Sequence, residues 1–338
     1  MAEPTETPLF HVNILKKYIN ALIVNVNPPA SPQDLNLIFD SGAVNGIMGI
    51  GAALYIHHLE KAKYIKINKI AGCSIGSLIA VWYICDCPDN LYPFIDTLFA
   101  DYKKNKNFFL YERFVRHIVT QLFPDDAAIA RINGILFINY YDTKKCKQRV
   151  ISKFKHREHL ITCILRSSHV PFLTSASHKY QGRYVDGISP HIFKQSKHTQ
   201  GKHTQGKHTQ GKHTQSKHTQ SKHKQSKNLF IQLINFTDMA KTLNIKREKN
   251  IYSRLIRGVV ETNEFFINGS SPICSYVGIK IKLHLFLREY FVFFILSLMD
   301  CIICLKSYIP PAFRDTFLYN KLCVMCKQMW EHFLDNLT

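Results

Sequence analysis

Short apolar runs alternate with longer segments of helical periodicity along most of the chain. Residues 35–40, 65–73 and 229–234 have the length and composition of buried strands. Apolar residues recur at helical spacing from 45 to about 63, and an apolar helix is predicted over 74–85. This alternation of strands and helices predicts an α/β sandwich.

The remaining apolar segments extend the same pattern. Residues 135–140 and 146–152 are predicted to be paired strands, 159–168 a helix, 182–186 a strand ending at Gly187, and 250–264 a helix. The apolar stretch 290–305 is too short to span a membrane and contains Asp300. We therefore expect a buried core helix there, with docking on a membrane surface as the alternative.

A repeated pentapeptide interrupts this pattern. From 196 to 225 the chain reads SKHTQ, GKHTQ, GKHTQ, GKHTQ, SKHTQ and SKHKQ, without one apolar residue. Such a segment cannot bury surface to offset its ordering entropy, so we expect a disordered insertion. The predicted organisation is an N-terminal extension (1–34), a core (35–193), the insertion (194–227), and the rest of the core domain with a helical C-terminal segment (228–338).

The net charge of +20 indicates an anionic partner, and the insertion strongly affects it. Residues 194–227 supply nine lysines and no acid, which leaves +11 on the rest of the chain. An anionic membrane surface and nucleic acid would both fit this charge. No RNA-binding signature, zinc finger or helix-turn-helix pattern is apparent, so no specific nucleic acid is expected.

The ten cysteines are expected to be reduced thiols, because the acidic N-terminus lacks the features of a secretory signal. This favours a cytoplasmic protein. The pairs Cys301–Cys304 and Cys323–Cys326 could together hold zinc. The first pair lies in an apolar run, and neither has the glycine-rich turns of a zinc knuckle, so core cysteines are favoured. No metal or cofactor is predicted.

The candidate chemistry centres on a G-x-S-x-G motif, Gly72-Cys73-Ser74-Ile75-Gly76. It falls between a predicted strand and a predicted helix, where a sharp turn lifts the serine hydroxyl to the helix N-terminus. Ser74 is therefore the candidate nucleophile. No histidine stands out as its base, but Asp186 ends a predicted strand and is followed by Gly187.

These motifs resemble those of the patatin-like phospholipase family, whose members use a Ser–Asp dyad. Residues 41–46 resemble the family's oxyanion-hole turn, 165–172 its helix end and proline, and 182–187 its D-G-G or D-G-A segment. The resemblance covers about 35–195 and implies a three-layer α/β/α sandwich with a central, mostly parallel sheet. It further implies Ser74 as nucleophile, Asp186 as proton acceptor, the amides of Gly42 and Ala43 as oxyanion hole, and Gly46, Gly72, Gly76 and Gly187 as motif glycines.

The implied activity is hydrolysis of phospholipid acyl esters, of the phospholipase A type, on an anionic membrane. Four positions depart from the family pattern: Ser41, Ala43, Asn45 and Ile188. Because alanine resists positive φ, a weak or inactive scaffold that binds membrane or nucleic acid is the alternative. The Lys-, Ile-, Asn- and Tyr-rich composition is similar to that of patatin-like proteins from large DNA viruses, which would place the protein in a host cytoplasm.

Overall fold

A computed structural model describes residues 7–87, 92–194, 226–234, 242, 244–246 and 252–337. The predicted disordered insertion, 194–227, lies outside these residues except at its ends. The predicted boundaries of the four chain segments remain predictions.

One sheet of seven strands forms the centre of the molecule. Strands β1, β2, β3 and β6 run parallel in the order β3-β2-β1-β6. Strands β4 and β5 both pair with β3 in the antiparallel direction, and β7 pairs with β6 in the same way. The mostly parallel sheet and the pairing of β3 with β4 confirm the sequence prediction. The strands are β1 (Gln33–Phe39), β2 (Ile65–Cys73), β3 (Leu136–Asp142), β4 (Lys147–Ile151), β5 (Tyr184–Val185), β6 (Lys227–Ile231) and β7 (Cys274–Tyr276).

Helices cover both faces of the sheet, as the α/β/α prediction requires. They are α1 (Thr7–Ile23), α2 (Gly46–Lys61), α3 (Ile75–Ile84), α4 (Tyr92–Asn105), α5 (Tyr111–Leu122), α6 (Asp126–Ile132), α7 (Arg157–Ser167), α8 (Tyr252–Asn268), α9 (Ile279–Tyr308), α10 (Pro311–Arg314) and α11 (Phe317–Leu337).

The two faces of the sheet are covered unequally. Leu37 and Phe39 of β1 belong to the main core, together with side chains of α2, α3, α5, α7 and α8. Ile38, on the opposite face because side chains alternate along a strand, packs in a small cluster with Phe193 and with Leu285 of α9. The second face therefore depends on α9 and on the segment before the insertion.

Helices α2 and α8 pack with their backbones in contact. A Cβ placed on Gly51 would lie 2.0 Å from the Leu255 carbonyl oxygen, and one on Gly258 would lie 1.9 Å from that of Met48. Both contacts are far below van der Waals distance, so only glycine permits this approach. The pair of glycines sets the spacing of the two helices behind the sheet.

Three polar contacts attach α9 to the rest of the protein. The guanidinium of Arg288 donates two hydrogen bonds to the carboxylate of Asp40, at the end of β1, and both side chains are buried. The Ser189 hydroxyl donates to the Leu285 carbonyl. Near the other end of α9, the Lys179 ammonium lies 2.7 Å from the Asp300 carboxylate. The helix is thus attached at both its first and its second half.

The predicted helix over 290–305 is present within α9, but its prediction as a buried core helix is wrong. Much of this segment is exposed, and Phe294 is 64% exposed. Cys301, Cys304 and Cys323 are also exposed, so their prediction as core cysteines is wrong as well, and the side chain of Cys326 lies outside the described part. The periodicity of the sequence predicts a helix here, but it does not show whether other elements pack against the helix. Over the described ranges, no helix is both long and apolar enough to cross a membrane.

We predict that Gly258→Ala lowers the free energy of unfolding by about 1–3 kcal/mol, because the new methyl group forces α2 and α8 apart. Alanine's higher helix propensity acts in the opposite direction and is too small to compensate. Urea denaturation measures the loss. Gly278→Ala is the control, since a Cβ at Gly278 meets no atom within 4 Å. Equal stability of the two variants would contradict the backbone contact.

We predict that Asp40→Asn lowers the free energy of unfolding by about 3–5 kcal/mol, because it leaves the buried Arg288 charge without its partner. The matched control is Glu158→Gln, which breaks an exposed ion pair with Arg116. Exposed pairs contribute about 1 kcal/mol or less. Thermal and urea denaturation of both variants test the difference, and a similar small loss in each would show that Asp40 and Arg288 do not depend on one another.

Candidate active site

Ser74 occupies a sharp turn between β2 and the first residue of α3. Its backbone has φ 56° and ψ −130°, in a region that residues with a side chain rarely adopt. A serine held in this way at the N-terminus of a helix projects its side chain away from the strand. This is the backbone geometry of a nucleophile elbow.

The two glycines of the motif are required by space. A Cβ on Gly72 would lie 2.3 Å from the carbonyl oxygen of Gly76, and one on Gly76 would lie 2.4 Å from that of Asp40. Both obstacles are backbone atoms that cannot turn aside. The elbow can therefore form only with glycine on both sides of Ser74.

A chain of hydrogen bonds fixes the elbow to the neighbouring strand. The Ser74 amide donates to the Ser167 hydroxyl at 2.9 Å, and that hydroxyl donates to the Asn139 carbonyl of β3 at 2.7 Å. On the other side of the turn, the Ser77 hydroxyl donates to the Ser74 carbonyl at 2.6 Å. Both backbone groups of Ser74 are satisfied, so its position does not depend on solvent.

Asp186 follows the short strand β5 and lines the same cavity as Ser74. The Ile188 amide donates a hydrogen bond to its carboxylate at 2.8 Å, the Cys73 thiol lies 3.7 Å away, and interaction with the Ser74 side chain lowers the pKa of this carboxyl. Burial raises the pKa of the Asp186 carboxyl to about 6. These three groups and the nearby Arg288 charge favour the ionised form and limit this rise.

Residues 41–46 form a turn beside the elbow. The Ser41 amide donates to the Asp40 carboxylate, and the Ser41 hydroxyl donates to the Ile188 carbonyl at 2.9 Å. Neither the Gly42 amide nor the Ala43 amide has an acceptor among the residues that the structure describes. Serine in place of the family's first glycine therefore connects this turn to the loop that carries Asp186.

One cavity of about 180 Å³ brings these groups together. Ser74, Asp186, Gly42 and Ala43 all line it, and Arg288 supplies the cationic group in its wall. The other lining residues are apolar apart from Ser41, and within the described part of the chain no histidine is among them. The apolar residues are Val170, Pro171, Val185, Ile188, Ile234, Val292 and Leu296.

A second, smaller cavity of about 60 Å³ lies beside the turn of residues 41–46 and is lined by Ala43 and Val44. It shares Ala43 with the first cavity and is lined by Gly46, Ile75 and further apolar side chains of α2 to α5. Gly46 must be glycine, because a Cβ there would lie 2.3 Å from the side chain of Ile75. The wall beside Ser74 is thus suited to a hydrocarbon chain.

Two of the departures from the family pattern adopt left-handed backbone conformations. Ala43 has φ 42° and Ile188 has φ 65°, a region that is unfavourable for alanine and more so for a β-branched residue. Gly187, between Asp186 and Ile188, is required by space, since its Cβ would lie 2.4 Å from the Asn139 carbonyl oxygen. The substituted positions retain the turn at the expense of local strain.

The third departure, Asn45, carries two hydrogen bonds of its own. Its side-chain amide donates to the Leu233 carbonyl at 2.9 Å, and its side-chain oxygen accepts a hydrogen bond from Arg254 of α8. The position thus contacts a cationic side chain from a distant helix. Asparagine here connects the turn to both β6's end and α8.

Sequence reasoning missed Arg288, Ser167 and Asn139. A lone arginine within a long apolar helix is a signal for a buried charge with a specific partner, and Arg288 fits this description. Nothing in the sequence singled out Ser167 or Asn139. The Ser167 hydroxyl is bonded to the backbone amide of Ser74 and the backbone carbonyl of Asn139, and these three residues are far apart in the chain.

Metal binding has no structural support in the described part of the chain. No group of three or more His, Cys, Asp or Glu side chains lies there in an arrangement that could hold an ion. The chemistry available at the site is that of a serine hydroxyl, a desolvated carboxylate and two free backbone amides in an apolar cavity. This combination suits acyl transfer.

Comparison with known proteins assigns the domain that contains this site. A search among curated proteins found no match to the chain. Residues 37–188 match the family model of patatin-like phospholipase, a range that includes the turn of residues 41–46, the elbow and Asp186. The match supports a lipid acyl hydrolase as the general class of the protein. The similarity of this chain to the patatin-like phospholipase family is thus located in residues 37–188.

Proposed function

We propose that the protein hydrolyses fatty-acyl esters of phospholipids, as a phospholipase A, through a Ser74–Asp186 dyad. The presence of the Ser74 side chain and the buried Asp186 carboxyl in one cavity with apolar walls is the observation that supports this most directly. A serine hydroxyl needs a base to become nucleophilic, and Asp186 is the carboxylate placed to accept its proton.

In the proposed first half-reaction, the Ser74 oxygen attacks the ester carbonyl carbon while its proton passes to Asp186. The amides of Gly42 and Ala43 donate to the oxyanion of the tetrahedral intermediate. When the intermediate collapses, the bond to the alcohol oxygen breaks and Asp186 returns the proton to that oxygen. An acyl-serine and a free lysophospholipid result.

In the second half-reaction, water attacks the acyl-serine and Asp186 accepts its proton. Collapse of the second tetrahedral intermediate releases the fatty acid and restores the Ser74 hydroxyl. None of these steps uses a metal or a cofactor. The small cavity beside Ala43 is suited to the chain of the acyl group, because its walls are apolar.

Desolvation makes Asp186 a better base than an ordinary carboxylate. A carboxyl with a pKa near 4 is too weak a base to take a proton from serine efficiently, and a pKa of about 6 brings it nearer to neutral pH. The carboxylate nevertheless remains ionised at pH 7. Asp186 therefore combines a useful basicity with the correct protonation state.

We further propose that the substrate is met on an anionic membrane in the cytoplasm. No disulfide joins any of the nine cysteines whose side chains the structure describes, which supports a reducing compartment, and the net charge of +20 favours anionic lipid. Specific nucleic-acid binding is not part of this proposal. The strained Ala43 and Ile188 favour one alternative, an inactive scaffold, and activity assays separate the two.

We predict that Ser74→Ala and Asp186→Asn each lower kcat/KM for a fluorogenic phospholipid in mixed liposomes by about 10³-fold or more, because each removes one half of the dyad. Ser253→Ala, at an exposed serine of α8 outside the cavity, should retain full activity and serves as the control. Substantial activity in either dyad variant would reject the role given to that residue. No activity in the wild type would favour the scaffold.

We predict an acidic limb near pH 6 in the pH profile of kcat/KM. Because burial raises the pKa of Asp186 to about 6, protonation removes the base as the pH falls through that value, and activity rises with pH above it. A soluble short-chain ester makes the measurement independent of lipid packing. A limb near pH 4, where a solvated carboxyl titrates, would show that Asp186 is not desolvated during catalysis.

A further inference from the structure

The outward side of α9 presents a continuous apolar surface. Between residues 283 and 305, every exposed side chain is aliphatic, aromatic or a cysteine, except Ser297. The three charged residues of this segment do not interrupt the surface. Arg288 is buried against Asp40, Glu289 is half-buried, and Asp300 faces Lys179. We call the exposed side chains of 283–305 the outer face of α9.

The exposure on the outer face is large for each residue. Phe286 is 52% exposed, Phe294 64% and Leu305 61%. At 1.5 Å per residue the segment is about 33 Å long. Soluble proteins usually expose single, scattered apolar residues, whereas here the exposed apolar side chains follow one another along the whole segment. A helix that is apolar on every side is found buried in a large core or against lipid. Among the described residues, α9 packs against the protein core only through its inner side.

The inner side of the same helix lines the active-site cavity. Val292 and Leu296 form part of the wall that faces Ser74 and Asp186. A helix with its side chains is about 10–12 Å across, so a surface that covered the outer face would lie one helix diameter from the reacting groups. The partner of the outer face is therefore placed where a substrate in that partner could reach the cavity.

Cationic side chains mark both ends of the outer face. Lys280 and Lys282 are exposed before it, and Lys306 is exposed after it. An apolar stretch with lysines at its ends matches an interfacial helix, whose apolar face enters the acyl region while its cations contact anionic headgroups. A second copy of the chain would present the same lysines and would gain nothing from this charge.

We propose that α9 docks on an anionic lipid bilayer through its outer face and lies parallel to the membrane plane. The choice of lipid as the partner rests on the proposed function. Docking would place the cavity mouth at the bilayer, so that a phospholipid could pass to Ser74 along the helix. The apolar side chains supply affinity that salt does not screen, and the lysines add affinity that salt weakens.

The test compares the full chain with Phe286→Asp/Phe294→Asp, using vesicles of phosphatidylcholine and phosphatidylserine. We expect at least about tenfold weaker co-sedimentation of the double variant and a similar loss of hydrolysis of vesicle lipid, because two apolar anchors become charged. Hydrolysis of a soluble short-chain ester should stay within about twofold of the wild type. The matched control is Val24→Asp/Ile267→Asp, at two exposed apolar residues on other elements, which should bind vesicles normally.

Several outcomes would overturn the proposal. Vesicle binding that is unchanged in the double variant, or that disappears for the wild type in 0.5 M NaCl, would mean that lysines alone attract the protein to the membrane. A wild-type dimer that becomes a monomer in the double variant, without a change in vesicle binding, would assign the outer face to a second copy. By contrast, loss of vesicle binding in the double variant, with no ester hydrolysis by the wild type, would support docking and reject the proposed hydrolase.

Discussion

The ion pair between Asp40 and Arg288 is the interaction on which the site depends. It joins residues 248 positions apart, and it does so where β1 ends, beside both the elbow and the turn of residues 41–46. The Asp40 carboxylate also accepts the Ser41 amide, while its backbone carbonyl contacts Gly76 so closely that no Cβ could fit. One buried aspartate thus connects α9, the turn of 41–46 and the elbow that carries Ser74. Buried charges tolerate few geometries, which makes the relationship rigid.

Helix α9 gives the cavity two opposing properties. Its aliphatic side chains, Val292 and Leu296, remove water from Asp186 and so raise the basicity of that carboxylate. Its arginine acts in the other direction and favours the ionised form. The balance leaves a carboxylate that is ionised at neutral pH yet basic enough to assist a serine. Since α9 lies outside the segment that matches the family model, the chemistry of the matched domain is completed by the C-terminal part of the chain.

The sequence predicts the sheet and its first helices well because local pattern and tertiary structure agree there. The run at 35–40 and the second half of the run at 65–73 are buried and mostly apolar, and the G-x-S-x-G motif requires the elbow that the structure contains. The exposure of α9 could not be predicted in this way, because hydrophobic periodicity indicates a helix but not which elements pack against it. Arg288 illustrates the same limit: its partner lies in β1's terminal turn, and no local pattern connects the two.

The glycines around the cavity show that one sequence motif can record two different physical requirements. At Gly42, Gly46, Gly72, Gly76 and Gly187 the requirement is volume, since a Cβ would lie within 2.5 Å of another atom. At Ala43 and Ile188 it is torsion, since these residues have positive φ and their side chains fit nonetheless. Unfavourable torsion angles carry a limited energy cost, whereas the overlap of a Cβ with neighbouring atoms must displace a packed side chain or the backbone. In such proteins, glycines that are needed only for positive φ should accordingly be replaced more often than glycines that are needed for space. A sequence pattern that treats all the glycines as equally required would therefore miss relatives in which the turns are intact.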